Sequence, residues 1–77
     1  MTIAECIKWE AFQFVNEYGD EIEMEIIHFR DQYKVIVNIC QDEPPFKDYS
    51  AIGIDTHSKR LAAKKALIKL YKRAYPQ

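Results

Sequence analysis

Cys6, Cys40, His28 and His57 are the side chains that could hold a soft metal, and their spacing argues against a site. A structural zinc takes four thiolate or imidazole ligands in close register, and no C-x-x-C or H-x-x-x-H unit supplies them. Acid–base chemistry fares no better. No Ser/His/Asp set, paired-carboxylate cleft or phosphate-binding glycine loop is apparent, and the whole chain has two glycines. Glu21, Glu23 and Glu25 alternate with apolar residues, which reads as a solubilising row along a strand. The expectation is a non-catalytic protein with no metal and no cofactor. Small secreted scaffolds that rely on disulfides usually carry more than two cysteines. Cys6 and Cys40 are therefore expected as buried, reduced thiols, in cytoplasm or nucleus.

The cations are the remaining chemistry. Residues 1–46 carry ten acidic side chains against three basic, a net of -7, while residues 47–77 carry eight basic against two acidic, a net of +6. Such a dipole can orient an anionic partner, although a lysine-rich helix is also an ordinary solvated surface. The basic residues Lys59, Arg60, Lys64, Lys65, Lys69, Lys72 and Arg73 fall within one stretch near the C-terminus.

The elements that must position them follow from periodicity. Seventy-seven residues, 48% of them apolar, make one domain over 1–77, with no signal peptide at its start and no stretch approaching a membrane span. Ile3, Ile7, Ala11 and Phe14 recur at helical spacing, which predicts a helix over 3–15, broken at Gly19-Asp20. Strict alternation predicts strands over 21–29 and 33–40, with Ile22, Met24, Ile26, Tyr33, Val35, Val37 and Ile39 inward. The short Arg30-Asp31-Gln32 link makes them an antiparallel hairpin. Asp42-Glu43-Pro44-Pro45 reads as a loop, and 47–54 as a weaker third strand, interrupted near Gly53 or lying at an edge. Thr56 or Ser58 caps a helix from Lys59 to about Tyr75, whose face is Ala62, Ala66, Leu67, Leu70 and Ala74 and which Pro76 ends. The predicted class is α+β in the order α-β-β-β-α: a three-stranded antiparallel sheet with two helices packed on one face.

Three segments resemble a known family. Ser58-Lys59-Arg60-Leu61-Ala62-Ala63-Lys64-Lys65-Ala66-Leu67 is similar to the S-K-K-x-A-K-x-x-A-A of the double-stranded-RNA-binding domain. Tyr33-Lys34-Val35-Ile36-Val37 resembles its F-x-V-x-V strand, and Glu10-Ala11-Phe12-Gln13 its E-x-x-Q first helix. The resemblance covers nearly the whole chain in order. It implies that Lys59 and Arg60, with Lys64 next along, meet phosphates of an A-form duplex, whose deep major groove hides base edges. It also implies that Glu10 and Gln13 reach 2′-hydroxyls, and His57 beside the cap could add a phosphate contact when protonated. The chain departs from the pattern at Ala63, where the family has its third lysine. It also lacks the long loop between the first two strands, where Phe29-Arg30-Asp31-Gln32 is too short to reach a minor groove.

Two functions are thus expected. One is weak, shape-selective binding of double-stranded RNA. The alternative is a protein-interaction or dimerisation module in an RNA-processing or RNA-silencing complex. It would use Leu61 and Ile68, placed away from the alanine face, with Tyr71 and Tyr75 at their border and pairing along the third strand. Neither reading involves a membrane or a small-molecule substrate.

Overall fold

The computed structural model describes residues 6–40 and 48–76. Ile3, the Asp42–Pro45 loop and Lys47 lie outside them. Strands β2 (Glu21–Phe29) and β3 (Tyr33–Cys40) coincide with the predicted hairpin. Their alternation is the physical cause: Ile22, Val35, Val37 and Ile39 are fully buried on one face, while the even-spaced glutamates take the other. Phe29 N donates to Gln32 O at 2.8 Å and closes the turn.

The first element is a strand, not a helix. β1 (Cys6–Val15) pairs antiparallel with β2 from Lys8↔His28 to Val15↔Glu21, with an irregularity between Cys6 and Lys8. Ile7, Trp9, Phe12, Phe14 and Val15 are β-branched or aromatic and favour a pleated strand. The helical spacing of Ile7, Ala11 and Phe14 is overridden by that nine-residue ladder. The five-residue turn 16–20 is built for a hairpin. Asn16 Oδ1 accepts from Tyr18 N and Asp20 N, each at 3.0 Å, and Gly19 takes φ 82°, a conformation that glycine adopts without strain. The predicted α-β-β-β-α order is therefore corrected: the described residues run β-β-β-β-α, a four-stranded antiparallel meander, β1-β2-β3-β4, with one helix.

β4 (Asp48–Asp55) runs unbroken through Gly53 and forms the far edge. Gly53 does not interrupt the strand; it admits the helix. A Cβ there would stand 2.2 Å from the Ala62 carbonyl oxygen and 2.5 Å from Ala66 N. α1 (Lys59–Ala74) accordingly lies close over β3 and β4, with Ala62, Ala66 and Leu70 fully buried. Ser58 is its N-cap, its Oγ accepting from Leu61 N at 3.2 Å. Directly opposed residues share a face of an antiparallel sheet. The register therefore sends Glu10, Phe12 and Phe14 to the helix side, and Trp9, Ala11 and Gln13 to the open side. The helix reaches β2 only marginally, and β1 has no second layer over it among the described residues. No described helix is long and apolar enough to cross a membrane.

Candidate interaction surfaces

The contacts that the basic side chains already make decide what the cations can do. Asp55, at the end of β4, accepts from His57 N at 2.9 Å and Ser58 N at 2.8 Å through Oδ2, and from Lys65 Nζ at 3.1 Å through Oδ1. The backbone donor of His57, then Lys65 and the backbone donor of Ser58, hold its carboxyl down at about 2. His57 itself turns its Nδ1 to Thr56 Oγ1 at 2.9 Å. The strand end, the cap and the helix are thereby tied into one unit.

Three basic side chains of α1, each four residues after the last, then fold back along the outer edge of β4. Lys65 Nζ donates to Ile54 O at 3.1 Å, Lys69 Nζ to Ile52 O at 3.1 Å, and the Arg73 guanidinium to Ser50 O. The helical repeat of four residues matches the two-residue repeat of outward carbonyls on the strand. Three of the seven basic side chains of α1 are thus spent on its own sheet edge. Pairing through this strand, expected for the interaction reading, meets carbonyls that already have donors.

The predicted RNA-contact residues divide. Lys59 meets Glu10 Oε2 at 3.5 Å, and Lys8 and His28 flank the same carboxylate at 3.8 and 3.2 Å. Partial desolvation raises the Glu10 pKa, but the charges of Lys59 and Lys8, the Lys59 hydrogen bond and the His28 charge outweigh it and leave it lowered. Lys59 and Glu10 are thus brought together as an ion pair, not as two contacts on a nucleic acid. Gln13 Nε2 donates to Glu23 Oε1 at 3.2 Å on the open face, away from the helix. Arg60 and Lys64, one turn apart and exposed, make no ion pair among the described residues, and they flank an apolar groove with Ala63, Leu67, Ile68 and Tyr71.

The predicted protein-interface residues divide as well. Leu61 and Ile68 are exposed, whereas Tyr71 and Tyr75 are half-buried and structural. Tyr75 stacks on Tyr18 at 4.0 Å and meets Tyr71 edge-on at 5.4 Å. Its hydroxyl accepts from Asn16 Nδ2 at 2.9 Å and donates to Asp20 Oδ2. Burial, then the Asp20 hydrogen bond, pushes the Tyr75 phenol up to about 12. This cluster fastens the β1–β2 turn to the end of the helix. Cys6 is exposed with a free thiol, which corrects the expectation that it is buried.

The surface that residue-by-residue reading missed is β1 itself. All of its residues are exposed except half-buried Glu10. Ile7 is 65% exposed, Trp9 58%, Phe12 48% and Val15 68%. Its inner edge pairs with β2, and among the described residues nothing pairs with its outer edge. Apolar residues on both faces of an edge strand were its signal in the sequence. The open face of the sheet adds Ile52 and Ile54, both exposed, beside Lys34, Ile36 and the acidic row of β2. Among the described residues no group of three or more His, Cys, Asp or Glu is placed to hold a metal. No protein-family model, curated protein or solved structure matches this chain.

Proposed function

We propose that this chain is a protein-interaction module that offers β1 as a strand-pairing edge. The observation that carries the reading is the ten-residue outer edge of β1, apolar on both faces and without a second layer among the described residues. An added strand gains main-chain hydrogen bonds along such an edge, and pockets between alternate side chains supply selectivity. Soluble proteins rarely leave a long apolar edge bare unless something covers it. Selection of random peptides displayed against the immobilised protein tests this. Extended sequences with apolar residues at every second position are expected, and Trp9→Ala with Phe12→Ala should weaken them at least about tenfold, some 1.4 kcal/mol or more. Peptides indifferent to both substitutions, or none at all from protein that sediments as one chain, overturn the reading.

A second reading rests on Arg60 and Lys64, which make no ion pair among the described residues; Arg60 lies in the first turn of α1, where the helix dipole adds its positive end. These two cations would give weak binding to duplex RNA with a shallow salt dependence, a logarithmic slope of about -2. A gel shift on a duplex of about 20 base pairs tests it, a length that exceeds the roughly 16 that double-stranded-RNA-binding domains span. Binding should vanish on Arg60→Glu/Lys64→Glu and survive Trp9→Ala. Binding unchanged by the charge reversal removes this reading.

A further inference from the structure

Resting on the strand-edge reading, we infer that the strand received by β1 is β1 of a second copy, paired antiparallel about a two-fold axis at Phe12. A two-fold dimer uses the same patch on both subunits, so the patch must be complementary to itself. An antiparallel strand edge satisfies this for its main chain in any register; the side chains choose among the registers. Centring on Glu10 sets two carboxylates opposite each other, and centring on Lys8 sets two ammonium groups opposite, both destabilising. Centring on Trp9 leaves Phe14 and Val15 beyond the paired strand, and centring on Ala11 sets both helix-side aromatics against charges, Phe12 against Glu10 and Phe14 against Lys8. Centring on Gln13 pairs Phe12 with Phe14 but keeps only residues 11–15 within the paired strands, with Glu10 and Trp9 facing Asn16 and Glu17 of the turn. Centring on Phe12 pairs Phe12 with Phe12 and Trp9 with Val15, and Ala11 with Gln13, across residues 9–15. Glu10 then lies beside Phe14 while its carboxylate stays held by Lys8, His28 and Lys59.

The rest of the molecule favours the same geometry. The other edge is closed by Lys65, Lys69 and Arg73, so strand pairing cannot continue from copy to copy into a fibre. One bare edge and one guarded edge give a closed pair. Stacking two copies by their open faces instead would bury the row of Glu21, Glu23 and Glu25 of each copy, with Lys34 as the one described cation on that face. Edge pairing keeps those rows apart. The product is one eight-stranded antiparallel sheet.

Analytical ultracentrifugation of the full chain at about 100 µM tests this, a concentration that populates complexes with micromolar dissociation constants. The wild type should sediment as two chains and Phe12→Lys as one. Because residue 12 faces its own mate, an equimolar mixture of Phe12→Lys and Phe12→Glu should recover the two-chain mass. Where Phe12→Lys fails to fold, Phe12→Cys in a Cys6→Ser/Cys40→Ser background provides the second measurement. It should form an interchain disulfide on mild oxidation, while Lys8→Cys in that background should not. A wild-type monomer overturns the inference. If such a monomer still binds displayed peptides through Trp9 and Phe12, the strand-edge reading stands without self-pairing; if it binds none, both fall. A dimer that ignores Phe12→Lys but dissociates on Ile52→Lys pairs through its open face and also overturns the inference.

Discussion

Along β4 the outward carbonyls of Ser50, Ile52 and Ile54 each meet a cation from α1, whereas along β1 no described donor reaches the outward edge from another element. The two strands bound the same sheet and are similar in length, yet one is sealed and the other bare. The difference follows from where α1 lies. Gly53 lets α1 settle over β3 and β4, and that same placement leaves the Phe12 and Phe14 side of β1 without a cover. One packing decision therefore sets both edges. The charge dipole seen in the sequence looks like an attractor for anions, but much of its positive end serves as an internal guard.

The comparison breaks most severely at Gly53. Gly53→Ala would place a methyl 2.2 Å from the Ala62 carbonyl oxygen, and the obstructing atoms are helix backbone, which cannot swing aside as a side-chain tip can. Overpacking of this kind costs about 1–3 kcal/mol and sometimes more. Because the helix must lift, Lys65, Lys69 and Arg73 would lose their carbonyls together. Urea denaturation should show a loss of about 3 kcal/mol, at the upper end of that range, with concentration-dependent association as β4 is uncovered. Unchanged stability would mean that α1 does not pack where the register places it.

How much of this was legible in the sequence depended on burial. β2 and β3 are buried on one face, so their alternation is strict, and both were placed to the residue. α1 announced itself through Ser58, its alanine face and Pro76. β1 was misread because exposure on both faces leaves no alternation: Trp9 lies on one side, Phe12 and Phe14 on the other, and chance helical spacing filled the gap. The Asn16…Gly19-Asp20 turn carried the correct signal, that of a hairpin. The ion pair of Glu10 with Lys59 joins positions 49 residues apart, and no local pattern predicts it. The edge guard was half legible. Lys65, Lys69 and Arg73 visibly share a helix face, but that face lies over a strand edge only because Gly53 admits the helix.

Removing the guard without moving the helix sharpens the comparison at smaller expense. Lys65→Ala/Lys69→Ala/Arg73→Ala leaves Ala62, Ala66 and Leu70 in place, so the fold should persist. Exposed charge-assisted contacts contribute about 0.5 kcal/mol each, and the triple variant should lose roughly 1–2 kcal/mol in chemical denaturation. Its larger consequence should appear in sedimentation, where two bare edges permit open-ended pairing and a mass that climbs with concentration. A triple variant with the wild-type mass at every concentration would show that these cations do not guard β4.

The smallest effect tests the anchor of the guard. Asp55 has a carboxyl at about 2 in the folded chain, well below the ordinary 3.8, because His57 and Ser58 backbone donors and Lys65 stabilise its anion. A depressed folded pKa contributes stability that is present above the unfolded value and is lost as pH falls through the folded one. Thermal melting should therefore decline between about pH 4 and pH 2 as Asp55 protonates and releases both the cap turn and Lys65. Asp55→Asn should start lower at neutral pH and show a shallower decline across that window, because the anion that titrates is gone. Glu10, also lowered, contributes in the same direction at the other edge, so Glu10→Gln provides the comparison. If Asp55→Asn and the wild type share one acid profile, Asp55 does not tie α1 to β4, and the seal on that edge depends on the carbonyl contacts of Lys65, Lys69 and Arg73 alone.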